Sequence, residues 1–453
     1  MPEDARGSAV DAIGEPATEM ISMRVLTFAL SDAAYGETLI GTGLTRQLRS
    51  AGMECEFVVS PAGQQTAHHH GFRHTVADPV QGRNIRSVID GVVREARPDV
   101  IVLADYLTYW STLSRRFDLN PWFLDDYQVP VLPVDLWDWE KTSFQFDVCG
   151  LPAERAVSRR ILDMPAHLRP VPVGQFDAGD SGRGFPYRIL PAEVRLSAAE
   201  RAMVREDLGL SGDDRLVMVP VSSWQQPDPD ERGLPDMIHR LAERVPALLA
   251  GHLRRLPERT HFLFVGVMPA AFRALPAERV HFVPTCPPER YHALLSASDV
   301  VLSLAVNSLT AIRATLMDIP AILLANRFDV PDADAAAAVL RQWPDPDARV
   351  AEWLAETLPI EPFRLWPKGF HSFLEPMLAG NPYLDAVVQR EVLDGGGIVD
   401  DLTGLLYDPG AQRRLADRRA RYLAAVDALP PTAEVFTAAV RRAGLGSTTV
   451  SVS

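Results

Sequence analysis

The sequence predicts an α/β protein built from two doubly wound, Rossmann-like domains, and three observations carry that expectation. Val280 to Arg327 alternates short apolar strands with helical segments in the order β-α-β-α-β. Those strands are apolar throughout, the pattern of a parallel sheet covered by helices on both faces. Similar β-α units recur in the first half, and 453 residues exceed one compact core but suit two domains of roughly 200 residues each.

Composition narrows the class. Hydrophobic residues make up 47% and charged residues 23%, ordinary values for a globular chain. The formal net charge of −14 argues against nucleic acid and against anionic membrane surfaces as partners. Cys55, Cys149 and Cys286 are few and far apart, neither a disulfide framework nor a metal cluster. No apolar run is long enough to span a bilayer. Residues 1–22 are small and acidic without an apolar core, so they read as a disordered leader rather than a signal peptide, with a cytoplasmic location expected.

The elements follow in order. Arg24 to Ala29 is the first buried strand. A loop carrying Ser31, Asp32, Tyr35, Gly36 and Glu37 leads into a helix whose apolar positions are Leu39, Ile40, Leu44 and Leu48. Gly52 caps that helix, and Phe57 to Val59 is the second strand. A helix from Asn84 to Ala96, a strand from Asp99 to Ala104 and a strand from Val129 to Val134 continue the first domain. Leu151 to Pro191 lacks periodicity, is rich in Pro, Gly and Arg, and reads as the end of the domain plus a connection. Ser197 with Glu200 forms a capping box opening a helix to Leu208, stopped by Gly209. The second domain then begins with a strand at Leu216 to Val221. Helix Pro235 to Leu253 and strand His261 to Val265 precede the Val280 to Arg327 segment. Gln412 to Ala443 gives two helical stretches broken by Pro430 and Pro431. The expected division is 23–195, 196–410 and a helical tail, 411–453.

Several positions can carry chemistry. Asn307, Ser308 and Thr310 lie in the turn between a strand and a helix, where unpaired amides and the helix dipole favour phosphate. The plainer reading makes Asn307 or Ser308 an N-cap. Arg313, one turn on, either meets a phosphate or base or is solvated or paired on the surface. Ser222 and Ser223, with Trp224, follow the first strand of the second domain, where open α/β sheets place ligands. Phe363 to His371 is an aromatic and basic stretch in which Lys368 or His371 could reach a phosphate. Asp135 to Glu140 mixes carboxylates and indoles. Trp137, Asp138 and Trp139, with Tyr35 and Tyr106, are expected to line an acceptor pocket, although the tryptophans could equally be packing anchors. His68, His69, His70 and His74 lack companion ligands and read as solvated, not as a metal site.

The order in Val280 to Arg327, hydrophobic-Val-Pro, helix, Asp299-Val-Val, hydroxyl-rich turn, helix, Ile319-Pro-Ala-Ile, resembles the donor half of GT-B-type glycosyltransferases of the bacterial natural-product type. The likeness departs at Ser303 and Ala305, near the family's His-Gly-Gly run, and at Arg313, where members carry a ribose-gripping acid. It implies two domains facing across a cleft, with the tail helices returning to the first domain. It also implies transfer of a sugar from a nucleoside-diphosphate sugar to a hydroxyl or thiol of a small-molecule acceptor, as in secondary-metabolite (antibiotic) biosynthesis. Inverting members often place a Gly-His pair in the first loop. Here Gly36-Glu37 aligns with it, making Glu37 the implied base and Asp32 its rival. No metal and no cofactor beyond the sugar nucleotide are expected, and a homodimer stays open. The alternatives are a GT-B-shaped sugar-nucleotide epimerase and a non-catalytic partner subunit.

Overall fold

A computed structural model describes residues 23–31, 36–142, 144, 157–192, 194–221, 225, 236–343, 347–365 and 370–444, with backbone only at 236–237 and 370–373. Asp32, Tyr35, Ser222, Ser223, Trp224 and Lys368 lie outside the described residues.

The first half holds β1 (Arg24–Ala29), α1 (Gly36–Ser50), β2 (Glu54–Val59), α2 (Gln64–His69), β3 (Arg73–Val76), α3 (Ile85–Ala96), β4 (Val100–Leu103), α4 (Tyr106–Ser111) and β5 (Val131–Pro133). Its sheet is parallel, in the order β3-β2-β1-β4-β5. Two further parallel strands, β6 (His167–Val171) and β7 (Gly184–Arg188), extend it through a bridge from Val134 to Leu168. The sequence reading took this region for a connection. Its strands carry His167, Arg169, Pro170 and Pro186, which hide the apolar signal, and the buried Arg169 is met by Asp138 at 2.6 Å and by Asp177 at 2.8 Å.

The second half runs α5 (Ala198–Asp207), β8 (Arg215–Met218), α6 (Asp236–Leu253), β9 (Thr260–Val265), β10 (Val280–Val283), α7 (Pro288–Ala297), β11 (Val300–Ser303), α8 (Leu309–Leu316) and β12 (Ala321–Ala325). It continues with α9 (Ala333–Leu340), α10 (Ala348–Thr357), α11 (Phe370–Leu378), β13 (Val388–Glu391) and α12 (Gly395–Tyr407). The sheet is parallel, in the order β10-β9-β8-β11-β12-β13, so the chain adds strands outward on one side of β8 and then crosses over to add β11 on the other. Both faces are buried. Leu216 and Met218 join the core running on from the first sheet, while Val217 and Val219 join a second core under α6, α10 and α12. At α5 both arms of the capping box form, Ser197 Oγ accepting from Glu200 N and Glu200 accepting from Ser197 N.

Two last helices, α13 (Pro409–Asp427) and α14 (Thr432–Arg442), connect the halves. Arg419 of α13 donates to Asp318, just beyond α8, at 2.6 Å, and Arg188 of β7 meets Asp427 at 2.8 Å. α14 lies against α1 and β7, with the Thr432 hydroxyl donating to Gln47 at 2.7 Å. Gln175 to the Ala379 carbonyl (2.9 Å) and Arg195 to the Ser298 carbonyl (2.8 Å) add further bonds across this connection. Among the described residues no single helix is long and apolar enough to cross a membrane.

Candidate active site

In open parallel sheets the strand ends that precede helices gather ligands at the carboxyl edge. The two carboxyl edges of this molecule face each other. A Cβ built on Gly36 at the start of α1 would lie 3.9 Å from Leu309 Cδ1 at the start of α8. His69 at the end of α2 bonds Glu289 in the first turn of α7 at 2.8 Å, a second contact between the two halves.

On the first-domain side, Glu37 occupies the first turn of α1, directly after β1. The residue is partly covered, but its Oε2 is fully shielded and lacks a hydrogen-bond partner among the described residues. Burial, then the negative charge of Asp105, push its carboxyl up to about 8, against the stabilising bonds of its own amide and the Ser31 hydroxyl. Asp105 lies two residues beyond β4, the neighbour of β1 in the sheet, and caps α4. It is buried and accepts from Leu107 N (3.2 Å), Thr108 N (3.1 Å) and the Trp137 indole N–H (3.2 Å). Burial raises it to about 6, while those donors pull the other way. Among the described residues no Lys, Arg or His forms an ion pair with Glu37 or Asp105. The two therefore share a buried negative charge, and Glu37 keeps its proton longer.

Sequence reasoning missed Asp105, although an Asp closing the apolar run Val100 to Ala104 just before a helix was the available signal. The acceptor-pocket expectations need correction. Tyr106 is fully buried, and its hydroxyl donates to the Ser158 carbonyl at 2.8 Å and accepts from Ile161 N. Trp139 is equally covered, set edge-on to Tyr106. Asp138 is buried between Arg169 (2.6 Å) and Lys141 (2.9 Å). Trp137 is buried with its indole on Asp105. The run from Asp135 to Glu140 thus folds inward around Asp135, whose carboxylate accepts the Trp137 and Trp139 amides. Of these buried side chains, Trp137 is the one that bonds the carboxylate pair, through Asp105. Burial, then Asp138, raises Asp135 to about 7.

On the second-domain side, the turn between β11 and α8 holds the expected phosphate residues. Ser308 is the N-cap of α8, its Oγ accepting from Ala311 N at 3.4 Å. The side-chain oxygen of Asn307 is covered and has no partner among the described residues. Thr310 and Arg313 instead face Tyr291 of α7. The Thr310 and Tyr291 hydroxyls are 2.5 Å apart, and the Arg313 guanidinium lies 5.5 Å from the Tyr291 ring centroid. The segment carrying Phe363 and Arg364 lies beside this turn, with Val306 N donating to the Arg364 carbonyl at 2.8 Å. Of the basic stretch, then, the described part borders the turn of its own domain. Among the described residues no group of three His, Cys, Asp or Glu converges as a metal site.

A family model described as a family of unknown function, DUF6365, matches residues 44–444. The chain belongs to the DUF6365 family. No curated protein matches this DUF6365 chain. Solved structures do. Anabaena Alr3699/HepE in complex with UDP and glucose matches at 11% identity and a TM-score of 0.52, covering 92% of this chain and 99% of that one. The same protein with UDP-glucose matches at 11% identity and a TM-score of 0.50, covering 92% and 98%. Spinosyn forosaminyltransferase SpnP matches at 15% identity and a TM-score of 0.49, covering 93% and 99%. The DUF6365 chain has the GT-B fold of glycosyltransferases.

Proposed function

We propose that this DUF6365 protein is a glycosyltransferase. It moves a sugar from a nucleoside-diphosphate sugar to a hydroxyl or thiol of a small-molecule acceptor, in the tailoring of a secondary metabolite such as an antibiotic. The observation that carries the reading is the carboxyl of Glu37, held at the start of α1 directly across the cleft from the start of α8. Structures of the same fold that hold UDP with glucose, or UDP-glucose, support the substrate class.

In this reading Glu37, as the carboxylate, takes the proton of the acceptor hydroxyl as its oxygen attacks the anomeric carbon. The bond from that carbon to the diphosphate oxygen breaks, and the departing diphosphate keeps the electron pair. Its growing charge falls near the first amides of α8, Asn307 and the Ser308 cap, where the helix dipole offsets it. The proposal assigns no metal to this step. A carboxyl raised to about 8 is a stronger base than an ordinary glutamate once deprotonated.

The test is release of nucleoside diphosphate from UDP-, dTDP- and GDP-sugars, with and without hydroxyl and thiol acceptors. Acceptor-dependent release is expected with one donor class, and Glu37→Gln should lower it by about 10²- to 10⁴-fold while nucleotide still binds. Acceptor-dependent release from none of the donors, or full activity in Glu37→Gln, overturns the reading.

A further inference from the structure

Acids recur at the carboxyl edge of the first sheet, and their surroundings differ. Asp105 lies two residues beyond β4, Asp135 two residues beyond β5, and Glu37 opens the helix that follows β1, with β1, β4 and β5 side by side. Asp135 has the positive charge of Arg169 acting on it, and Asp138 beside it takes Arg169 and Lys141. Asp99, Asp90 and Asp125 of the same half each meet an arginine. Glu37 and Asp105 have no cationic partner among the described residues. They are nevertheless close, because Ala104 packs on α1 where a Cβ at Gly41 would come within 3.2 Å of it.

We infer that the ligand supplies the absent positive charge: the part of it that meets Glu37 carries a protonated amine. The inference rests on the glycosyl-transfer reading and names the chemistry of its substrate. Glu37 is the member within reach. It is partly exposed, and its Oε2 takes no hydrogen bond among the described residues, so an ammonium N–H has an acceptor there. Asp105 is buried and already accepts from three donors, so it acts behind Glu37 through its charge alone. Of the charged groups on the elements packed against α1, Asp105 is the one that acts on the Glu37 carboxyl. Arg24 of β1 is held by Asp99, and Arg46 and Arg49 of α1 act on His70. His69 of α2 meets Glu289, and Arg313 across the cleft lies over Tyr291. The charged side chains of β2 and α14 do not act on Glu37.

A cation here also answers a demand of the reaction. Free Glu37 holds its proton up to about 8, so only about a tenth of the molecules offer a carboxylate at neutral pH. An ammonium bound beside it favours the charged form, and the Glu37 proton leaves to water as the ion pair forms. An alkyl ammonium keeps its own proton to about pH 10. The substrate thus ionises the base that serves it. The acid limb of kcat/KM, which reports the free protein, stays at about 8, while that of kcat falls lower with an amine substrate.

The experiment follows the melting temperature of the full chain with ligand pairs that differ in charge, at fixed ionic strength. Ethanolammonium is set against ethylene glycol and cyclohexylammonium against cyclohexanol, for an amine on the acceptor. UDP-glucosamine is set against UDP-glucose, for an amine on the donor. At about pH 8.5 the amine of at least one pair should bind about tenfold or more tightly than its neutral counterpart, and the ratio should shrink at about pH 6. Glu37→Gln should bring the ratio to about one, and Asp105→Asn should lower it, with both variants checked for folding by circular dichroism. A ratio near one in every pair, a ratio that survives Glu37→Gln, or one indifferent to pH overturns the inference. Amine selectivity without transfer from any donor would leave this site and remove the glycosyl-transfer reading. Transfer to neutral acceptors without amine selectivity would do the reverse.

Discussion

In the proposed reaction, Glu37 is the base and Asp105 the neighbour that holds its proton on. Because only the Glu37 carboxylate can accept a proton, transfer should be slow below, and rise through, about pH 8. Asp105→Asn removes the neighbouring negative charge and keeps one oxygen, enough for the Leu107 amide and the Trp137 indole, while the Thr108 amide loses its acceptor. The acid limb of the pH-rate profile should then move to lower pH; an unmoved limb would mean that Asp105 only shapes α4. Stability carries a second signature. In the unfolded chain Glu37 titrates in the ordinary carboxylate range, whereas the folded protein holds its proton up to about 8. Between those limits the native state binds more protons, so its stability falls as pH rises. Glu37→Gln removes that penalty. Its melting temperature should exceed the wild-type value by a margin that widens from about pH 5 to about pH 8, and a constant margin would refute the assignment.

At the scale of elements, α1 positions Glu37, and its glycines let it sit close to its neighbours. A Cβ on Gly43 would come within 2.6 Å of the Ile189 carbonyl oxygen and 2.9 Å of Leu190 Cδ2. In an exposed helix Gly→Ala stabilises by about 0.5–1 kcal/mol, but here the backbone carbonyl cannot move aside cheaply. Gly43→Ala should therefore destabilise, by about 1–3 kcal/mol in urea unfolding, and a stabilised variant would contradict the packing described. The boundaries of α1, β1, α5 and the β10 to β12 unit were legible because apolar periodicity and caps lie in contiguous residues. The pair β6 and β7 was not. Its buried His167 and Arg169 are tolerated through Asp135 and Asp138, contacts that no local pattern records. The site was legible to the same degree. Glu37 and Ser308 stand at helix starts that the sequence marks, whereas Asp105 meets Glu37 only because β4 lies beside β1, a strand order that sequence does not display. Tyr291 takes Thr310 and Arg313 for the same reason, across two separate helices.

For the whole molecule, two parallel sheets turn their carboxyl edges toward one cleft, and α13 and α14 bind the halves together behind it. The fold alone supports many chemistries, so the function rests on a ligand occupying that cleft. In the proposed reaction, the turn that opens α8 offers the diphosphate oxygens the N–H groups at the positive end of a helix capped by Ser308. The direct measurement is the melting temperature of the full chain titrated with UDP, dTDP, GDP and ADP, each with and without magnesium. Saturation by one of them at about a hundred times its Kd should stabilise the protein by roughly 2.7 kcal/mol, without need of the metal. A melting temperature unmoved by all four would contradict a nucleoside-diphosphate site, and with it the glycosyltransferase reading.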